Sequence, residues 1–236
     1  MCRNARIIVK KREALYHFGM KLYISDLHFF HEKIINFDKR GFSDVKTMNQ
    51  TLIERWNSKV RGGDIVIVLG DMFWTTKADD VNAILNRLNG KICLIEGNHD
   101  RQWLAKEGIN LERFDWIKPY AQFSDGKDLV IASHYPVFCY DHQYLKTPDG
   151  KDRTFMLYGH VHNTHDEILV NQFIQLTKQT VLKGKETDRK IPCNMINCFC
   201  GFSDYKPLSL AEWKKVDAER RAKMVLPQNQ EIFDEI

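Results

Sequence analysis

Asp, Asn and His side chains directly follow five short apolar runs in this sequence. The runs cover residues 22–25, 65–69, 92–95, 129–133 and 155–158, and the polar side chains behind them are Asp26, His28, Asp71, Asn98, His99, Asp100, His134, His160 and His162. Carboxylate oxygen, amide oxygen and imidazole nitrogen together form a mixed hard and borderline ligand set, suited to manganese, iron or zinc. A single His after a strand is more often a hydrogen-bonded surface residue. Five coincident cases indicate a metal centre instead.

The runs themselves predict the strands that would position these side chains. Each is short, uncharged and apolar, as is typical of a buried strand, and residues 195–200 form a sixth run of the same kind. Ligands bind at the carboxyl ends of the strands in open α/β sheets. The polar residues are therefore expected at one common edge.

Helical periodicity separates the predicted strands. Apolar residues recur at three- and four-residue steps in two segments, Val45, Met48, Leu52, Ile53 and Trp56 in the first and Val81, Ile84, Leu85 and Leu88 in the second. A third helix is predicted over residues 166–181, and a fourth begins at Ser209, which fits a capping box with Glu212. The alternation predicts the α/β class. The segment 166–192 has no assigned role.

The composition of the 236-residue chain fits one domain, since 43% of its residues are hydrophobic. A formal net charge of +4 favours anionic substrates, but it is too small for a dedicated nucleic-acid-binding protein. The six cysteines include no Cys-x-x-Cys pair, which favours reduced thiols. With no apolar stretch approaching a membrane span, this predicts a cytoplasmic protein without membrane contact.

Residues 1–19 are basic and poorly patterned. We expect them to form an N-terminal extension to a domain that covers residues 20–236. A solvated tail is one reading of this extension, and contact with nucleic acid is the other.

The polar blocks, in order, read Asp-x-His, Gly-Asp, Gly-Asn-His-Asp, His and Gly-His-x-His, from Asp26 to His162. This combination resembles the calcineurin-like metallophosphoesterase superfamily, and most closely its small bacterial and phage members. The resemblance implies a two-sheet β-sandwich flanked by helices, with two divalent transition-metal ions at the strand ends. Manganese is the first expectation, with iron, zinc, nickel or cobalt as alternatives.

The resemblance also implies a role for each block. Asp26, His28, Asp71 and His162 would hold one metal, and Asp71, Asn98, His134 and His160 the other, so that Asp71 bridges them. Such a pair can activate one bridging water or hydroxide as the nucleophile. His99 would act as general acid, and Asp100 would hold the His99 ring in place.

One departure from the family pattern concerns the substrate. Some members follow Gly-Asp with a phosphate-binding arginine, whereas Met72, Phe73 and Trp74 follow Asp71 here. This counts against protein phosphatase activity and favours a small phosphodiester or a nucleotide-like substrate. Candidate substrate contacts are His31, Arg101, Trp74 and Tyr135, each of which also fits a surface or packing role. The alternatives are a nuclease that acts on nucleic-acid polymers and a non-catalytic interaction module; the oligomeric state is left open.

Overall fold

A computed structural model describes residues 19–185 and 187–224. The N-terminal extension predicted for residues 1–19 lies outside the described residues, apart from Gly19. Within the described part of the chain, no helix combines the length and the apolar character needed to cross a bilayer.

Ten strands in the described part of the chain form two four-stranded sheets and one small hairpin. They are β1 (Lys21–Ile24), β2 (Ile65–Val68), β3 (Lys91–Ile95), β4 (Phe114–Lys118), β5 (Tyr120–Asp125), β6 (Asp128–Ser133), β7 (Thr154–Tyr158), β8 (Val181–Leu182), β9 (Arg189–Lys190) and β10 (Met195–Asn197). The first sheet has the order β1-β2-β3-β4 and is parallel throughout. The second has the order β10-β7-β6-β5, in which only β5 runs antiparallel to its neighbour.

Six α-helices lie within residues 19–185 and 187–224. They are α1 (Ile34–Phe37), α2 (Val45–Lys59), α3 (Ala78–Leu85), α4 (Asp100–Leu104), α5 (His165–Gln179) and α6 (Leu210–Lys223). The capping box predicted at Ser209 is present, because Ser209 and Glu212 exchange side-chain to backbone hydrogen bonds. The third predicted helix is also confirmed, although α5 begins one residue earlier and ends two residues earlier than expected.

The two sheets pack face to face, and helices cover both outer faces. Tyr23 and Ile67 of the first sheet share one buried cluster with Val130 and Leu157 of the second. The apolar stripes of α2 and α3 pack on the outer face of the first sheet, and α5 packs on that of the second. Helix α6 contacts β1 and β10. The predicted two-sheet sandwich flanked by helices is confirmed.

Strands β4 and β5 were not predicted from the sequence. Each lies at the edge of a sheet and holds only one buried residue, so neither forms a continuous apolar run; β1 and β10 are edge strands too, but they are almost wholly buried and were predicted. Edge strands retain a solvated side, so charged and polar residues are tolerated there. The apolar-run criterion finds strands that are buried on both faces and passes over these two.

Candidate metal centre

Parallel pairing aligns the carboxyl ends of β1, β2 and β3 in the first sheet and those of β6 and β7 in the second. The two sets of strand ends meet at one edge of the sandwich. Ligand atoms of Asp26, His28 and His162 lie within 4.8 Å of one another, and so do those of Asp26, Asp71 and His134. All five residues are buried. The structure therefore joins four of the predicted blocks into two overlapping donor groups.

The backbone is left-handed at five of the predicted ligand positions. The φ angles are 57° at Asp26, 51° at His28, 54° at Asp71, 69° at His160 and 46° at His162. This region is uncommon for residues other than glycine, although Asp and His enter it more readily than most. Each such residue costs on the order of 1–3 kcal/mol, and such strain clusters at functional sites. The strand-end loops are thus held in a geometry that local preference alone would not select.

The first donor group centres on His28 and His162. Their Nε2 atoms are 3.2 Å apart, and the Nε2 atom of His162 is 3.5 Å from Oδ1 of Asp26. Nδ1 of His162 faces the Asp38 carboxylate, with 2.7 Å between Nδ1 and Oδ1. If the Nδ1 hydrogen donates to this carboxylate, the lone pair of Nε2 points into the donor group.

The second donor group centres on His134. Its Nε2 atom is 3.0 Å from Oδ1 of Asn98 and 3.6 Å from Oδ2 of Asp71. The backbone carbonyl of Leu69 lies 2.8 Å from Nδ1 and orients the ring from behind. The centroid of the His160 ring lies 5.0 Å from that of His134, so this predicted ligand borders the group.

Asp71 lies between the two groups. Its Oδ2 atom is 3.7 Å from Nε2 of His28 and 3.6 Å from Nε2 of His134. Asp26 also belongs to both groups, because one of its oxygens is near His162 and its carboxylate is near Asp71 and His134. Sharing between the two metals was predicted for Asp71 alone, whereas the structure places both carboxylates between the imidazole rings.

The charge and burial of these donors fit divalent cations. Burial raises the pKa of Asp71 to about 7 and holds the pKa of His28 well below its usual range. The His28 ring is therefore held neutral and can coordinate a metal, beside the Asp71 carboxylate, whose charge is costly without a cation. Nδ1 of His28 is buried with no hydrogen-bond partner among the described residues. The polar contacts of the ring are therefore those of Nε2, with His162 and Asp71.

His99 lies beside the donor groups, as predicted. Its Nε2 atom is 3.8 Å from Oδ2 of Asp71, and its backbone N–H donates to Oδ1 of Asp71 over 3.0 Å. The side chain is 32% exposed, whereas that of Asp71 is 3% exposed. Burial lowers the pKa of His99. A ring in this position can reach both the metal ligands and a molecule that enters from solvent.

The structure corrects the role predicted for Asp100. Its carboxylate is fully buried and accepts four hydrogen bonds, from the backbone N–H groups of Asp71, Met72 and Gly97 and from Nε1 of Trp103. Both oxygens are therefore occupied, and neither contacts the His99 ring. Asp100 ties the loop after β3 to the loop after β2, because unpaired backbone N–H groups at buried strand ends need an acceptor.

A cavity of about 570 Å³ opens from His28, Asp71, His99 and His162 toward solvent. Two predicted substrate contacts, His31 and Trp74, form part of its wall and stack with ring centroids 3.7 Å apart. Trp74 is 44% exposed, and its ring centroid is 4.4 Å from that of His99.

The other two predicted substrate contacts lie elsewhere. Tyr135 is exposed and contacts the His160 ring edge-on, with the centroids 4.5 Å apart, but it does not line this cavity. Arg101 is also outside the cavity wall, because its Nε donates to Glu96 over 2.9 Å on the protein surface. The structure thus gives no support to Arg101 as a phosphate clamp.

The sequence profile of the calcineurin-like phosphoesterase family matches residues 22–207. The chain belongs to this family. The uncharacterized protein MJ1445 of Methanocaldococcus jannaschii is 35% identical over 192 residues, which cover 80% of this chain and 87% of the relative. The gene 66 protein of Mycobacterium phage L5 is 26% identical over 164 residues, covering 60% and 76%. Among solved structures, a protein of unknown function from Aquifex aeolicus, AQ665, has a TM-score of 0.53 and 25% identity over 84% of this chain and 99% of its own.

Calcineurin-like phosphoesterases are metal-dependent hydrolases of phosphate esters, and the groups around Asp26 and Asp71 supply the candidate ligands in this member. Two further residues of this phosphoesterase escaped the sequence analysis. Asp38 contacts His162, and Arg40 contacts both Asp38 and the backbone of Asp26. No local signal marks them, because Asp38 is 124 positions from His162 and belongs to none of the five blocks.

Proposed function

We propose that this protein is a dinuclear metal-dependent phosphoesterase that hydrolyses a small phosphodiester or nucleotide-like substrate. The observation that carries the proposal is the pair of buried donor groups that share Asp26 and adjoin Asp71, at the inner end of an aromatic-walled cavity. A structural role would not require so many buried ionisable groups to converge.

One ion would be held by Asp26, His28, Asp71 and His162, and the other by Asp71, Asn98, His134 and His160. When bound, two divalent ions, with Mn²⁺ as our first choice, would polarise the phosphoryl oxygens and lower the pKa of a water molecule. No Ser or Cys nucleophile is required of the protein. The chain's own contribution is to hold these donors in place and to manage the proton of the leaving group.

His99 is our candidate for the proton donor. Its ring lies at the boundary between the donor groups and the cavity, while its backbone N–H is held by Asp71. A side chain in this position can reach the leaving oxygen of a bound phosphoester and supply a proton as the ester bond breaks. Asp100 supports this indirectly, since it fixes the loop from which His99 projects.

The cavity wall supports the choice of substrate class. Met72 and Phe73 are fully buried, so Trp74 is the first exposed side chain of the loop after Asp71. Trp74 and Phe37 present exposed rings to the cavity where an arginine would favour a doubly charged phosphomonoester. A planar base or another apolar group esterified to the phosphate would pack against these rings.

The proposal is tested with a substrate panel in the presence of Mn²⁺. Bis-p-nitrophenyl phosphate should be cleaved at least as well as p-nitrophenyl phosphate, and nucleotide phosphodiesters should be cleaved as well. A strong preference for the monoester, or turnover of a phosphopeptide, would reverse this ranking. Cleavage of DNA or RNA polymers with steeply salt-dependent binding would favour a nuclease instead. Absence of turnover across the panel would favour an interaction module.

A further inference from the structure

A buried ion pair connects two of the strand-end loops. Asp38 accepts hydrogen bonds from Nε of Arg40 over 2.9 Å and from Nη2 over 2.7 Å, both at its Oδ2 atom. The side chains of Arg40 and Asp38 are only 1% and 3% exposed. A buried ion pair is in itself weak evidence for a stabilising role, because desolvation offsets much of the attraction. The role of this ion pair is therefore better inferred from the residues that it contacts than from its charges.

The second oxygen of Asp38 is directed at His162, with 2.7 Å between Oδ1 and Nδ1. A carboxylate behind an imidazole ring fixes both its tautomer and its orientation. Here this leaves Nε2 of His162 directed at His28 and Asp26. Asp38 thus acts on the loop after β7 from a segment that follows α1.

Arg40 acts on the other loop. Its Nη2 atom donates to the backbone carbonyl of Asp26 and its Nη1 atom to that of Leu27, each over 2.8 Å. Asp26 is one of the residues with a left-handed backbone, a conformation that persists only where surrounding contacts impose it. The planar guanidinium can make all of these hydrogen bonds at once, which the single ammonium group of lysine cannot.

We propose that Asp38 and Arg40 are positioning residues, which hold His162 and Asp26 in register for the same metal ion. The inference rests on the proposed metal centre. For Asp38 it applies to one donor group only, because the His134 ring is oriented by the carbonyl of Leu69 and has no contact with the ion pair. Loss of Asp38 should therefore weaken one metal site and spare the other. Arg40 acts on Asp26, which both groups share.

The test is metal binding by the Asp38→Ala and Arg40→Lys variants, measured by Co²⁺ absorption titration and by Mn²⁺ competition with a chelator. We expect one ion per chain to bind about 10–100-fold more weakly in Asp38→Ala, the usual effect of removing an outer-shell partner, and the other ion to bind as in wild type. Arg40→Lys acts on the shared Asp26 and should weaken both ions. A second measurement is the increase in melting temperature on adding Mn²⁺, compared with the chelator-treated protein. This increase should shrink in both variants, because weaker binding stabilises the fold less.

Asp64→Ala is the matched control. Asp64 is also buried and accepts hydrogen bonds from the backbone N–H groups of Met20 and Arg61, but it precedes β2 and so lies at the opposite end of the sheet. The Asp64→Ala substitution should lower the melting temperature of the chelator-treated protein and leave the affinities for both metal ions unchanged.

Three results would overturn the inference. They are wild-type affinity for both ions in folded Asp38→Ala, equal weakening of both ions in that variant, and the same loss in Asp64→Ala. If Asp38→Ala does not fold, Asp38→Asn replaces it, because Asn keeps the shape of the side chain and an acceptor for His162 without the charge. Asp38→Asn should weaken the binding of one ion by a smaller factor. Wild-type affinity for both ions in Asp38→Asn would also overturn the inference. A wild-type protein that binds neither Mn²⁺ nor Co²⁺ would overturn the proposed metal centre itself.

Discussion

The Nε2 atoms of His28 and His162 lie 3.2 Å apart, although 134 positions separate the two residues in the sequence. The Nδ1 atom of His162 is already engaged by Asp38, so its Nε2 atom presents a lone pair when the ring is neutral. Two imidazole nitrogens this close, beside the buried carboxylates of Asp26 and Asp71, form the kind of donor set that a shared cation stabilises.

Metal content should approach two ions per chain after reconstitution with Mn²⁺, as measured by elemental analysis. Asp71→Asn should weaken both sites, because Oδ2 of Asp71 is 3.7 Å from His28 and 3.6 Å from His134. The loss should be at least the roughly 10–100-fold seen when only an outer-shell partner is removed. Retention of two tightly bound ions by Asp71→Asn would remove the bridging assignment.

His99→Ala should bind nearly normal amounts of metal and lose roughly 10²–10⁴-fold in turnover, the usual range for a positioned acid. The loss should be smaller for a p-nitrophenolate leaving group, which departs without a proton, than for an alkoxide. Steady-state kinetics on both substrate types, with metal analysis of the same samples, measures this. If the variant loses a metal, His99 is a ligand; if alkoxide turnover is unchanged, the enzyme has another proton donor.

Asp100→Asn should act on the fold rather than on the proton transfer. The amide group of Asn would place N–H groups against two of the four N–H donors that Asp100 now satisfies. We expect a loss of about 2–4 kcal/mol in the free energy of unfolding, measured with urea in the presence of chelator. His99→Ala is the comparison and should change this free energy by less than about 1 kcal/mol, as expected for a partly exposed side chain. If Asp100→Asn has wild-type stability but impaired turnover, the original prediction that Asp100 holds the His99 ring would be supported instead.

Trp74→Ala should reduce the preference for substrates that carry a base. Stacking on an aromatic side chain contributes about 1–3 kcal/mol per base, which corresponds to roughly 5–150-fold in kcat/KM. The measurement compares a nucleoside phosphodiester with a dialkyl phosphodiester, so that a general loss of activity cancels. Trp74→Phe should retain most of the preference, and Tyr144→Ala, an exposed aromatic residue that does not line the cavity, should retain all of it. An unchanged ratio in Trp74→Ala would exclude base stacking at this wall.

Much of the fold could be predicted from local sequence. Six strands, the stripes of α2 and α3 and the start of α6 are marked by periodicity or capping residues, which depend on neighbours a few positions away. The donor types were also readable, since Asp, Asn and His stand directly behind the apolar runs. Strands β4 and β5 could not be predicted in this way, because each has only one buried residue and therefore no continuous apolar run.

The sequence by itself determined which side chains reach the edge of the sandwich and which chemistry they offer. Only the tertiary structure decided how they are held. It directs Asp100 to the backbone of two loops instead of to His99, and it brings Asp38 and Arg40 to His162 and Asp26. Because Asp100 is adjacent to His99 in the sequence, a contact between them was predicted, and this prediction was wrong. Nothing in the local sequence indicated the contacts of Asp38 and Arg40. The physical reason is that a buried hydrogen bond forms wherever packing leaves a donor facing an acceptor, and packing joins residues whose separation along the chain carries no local signal.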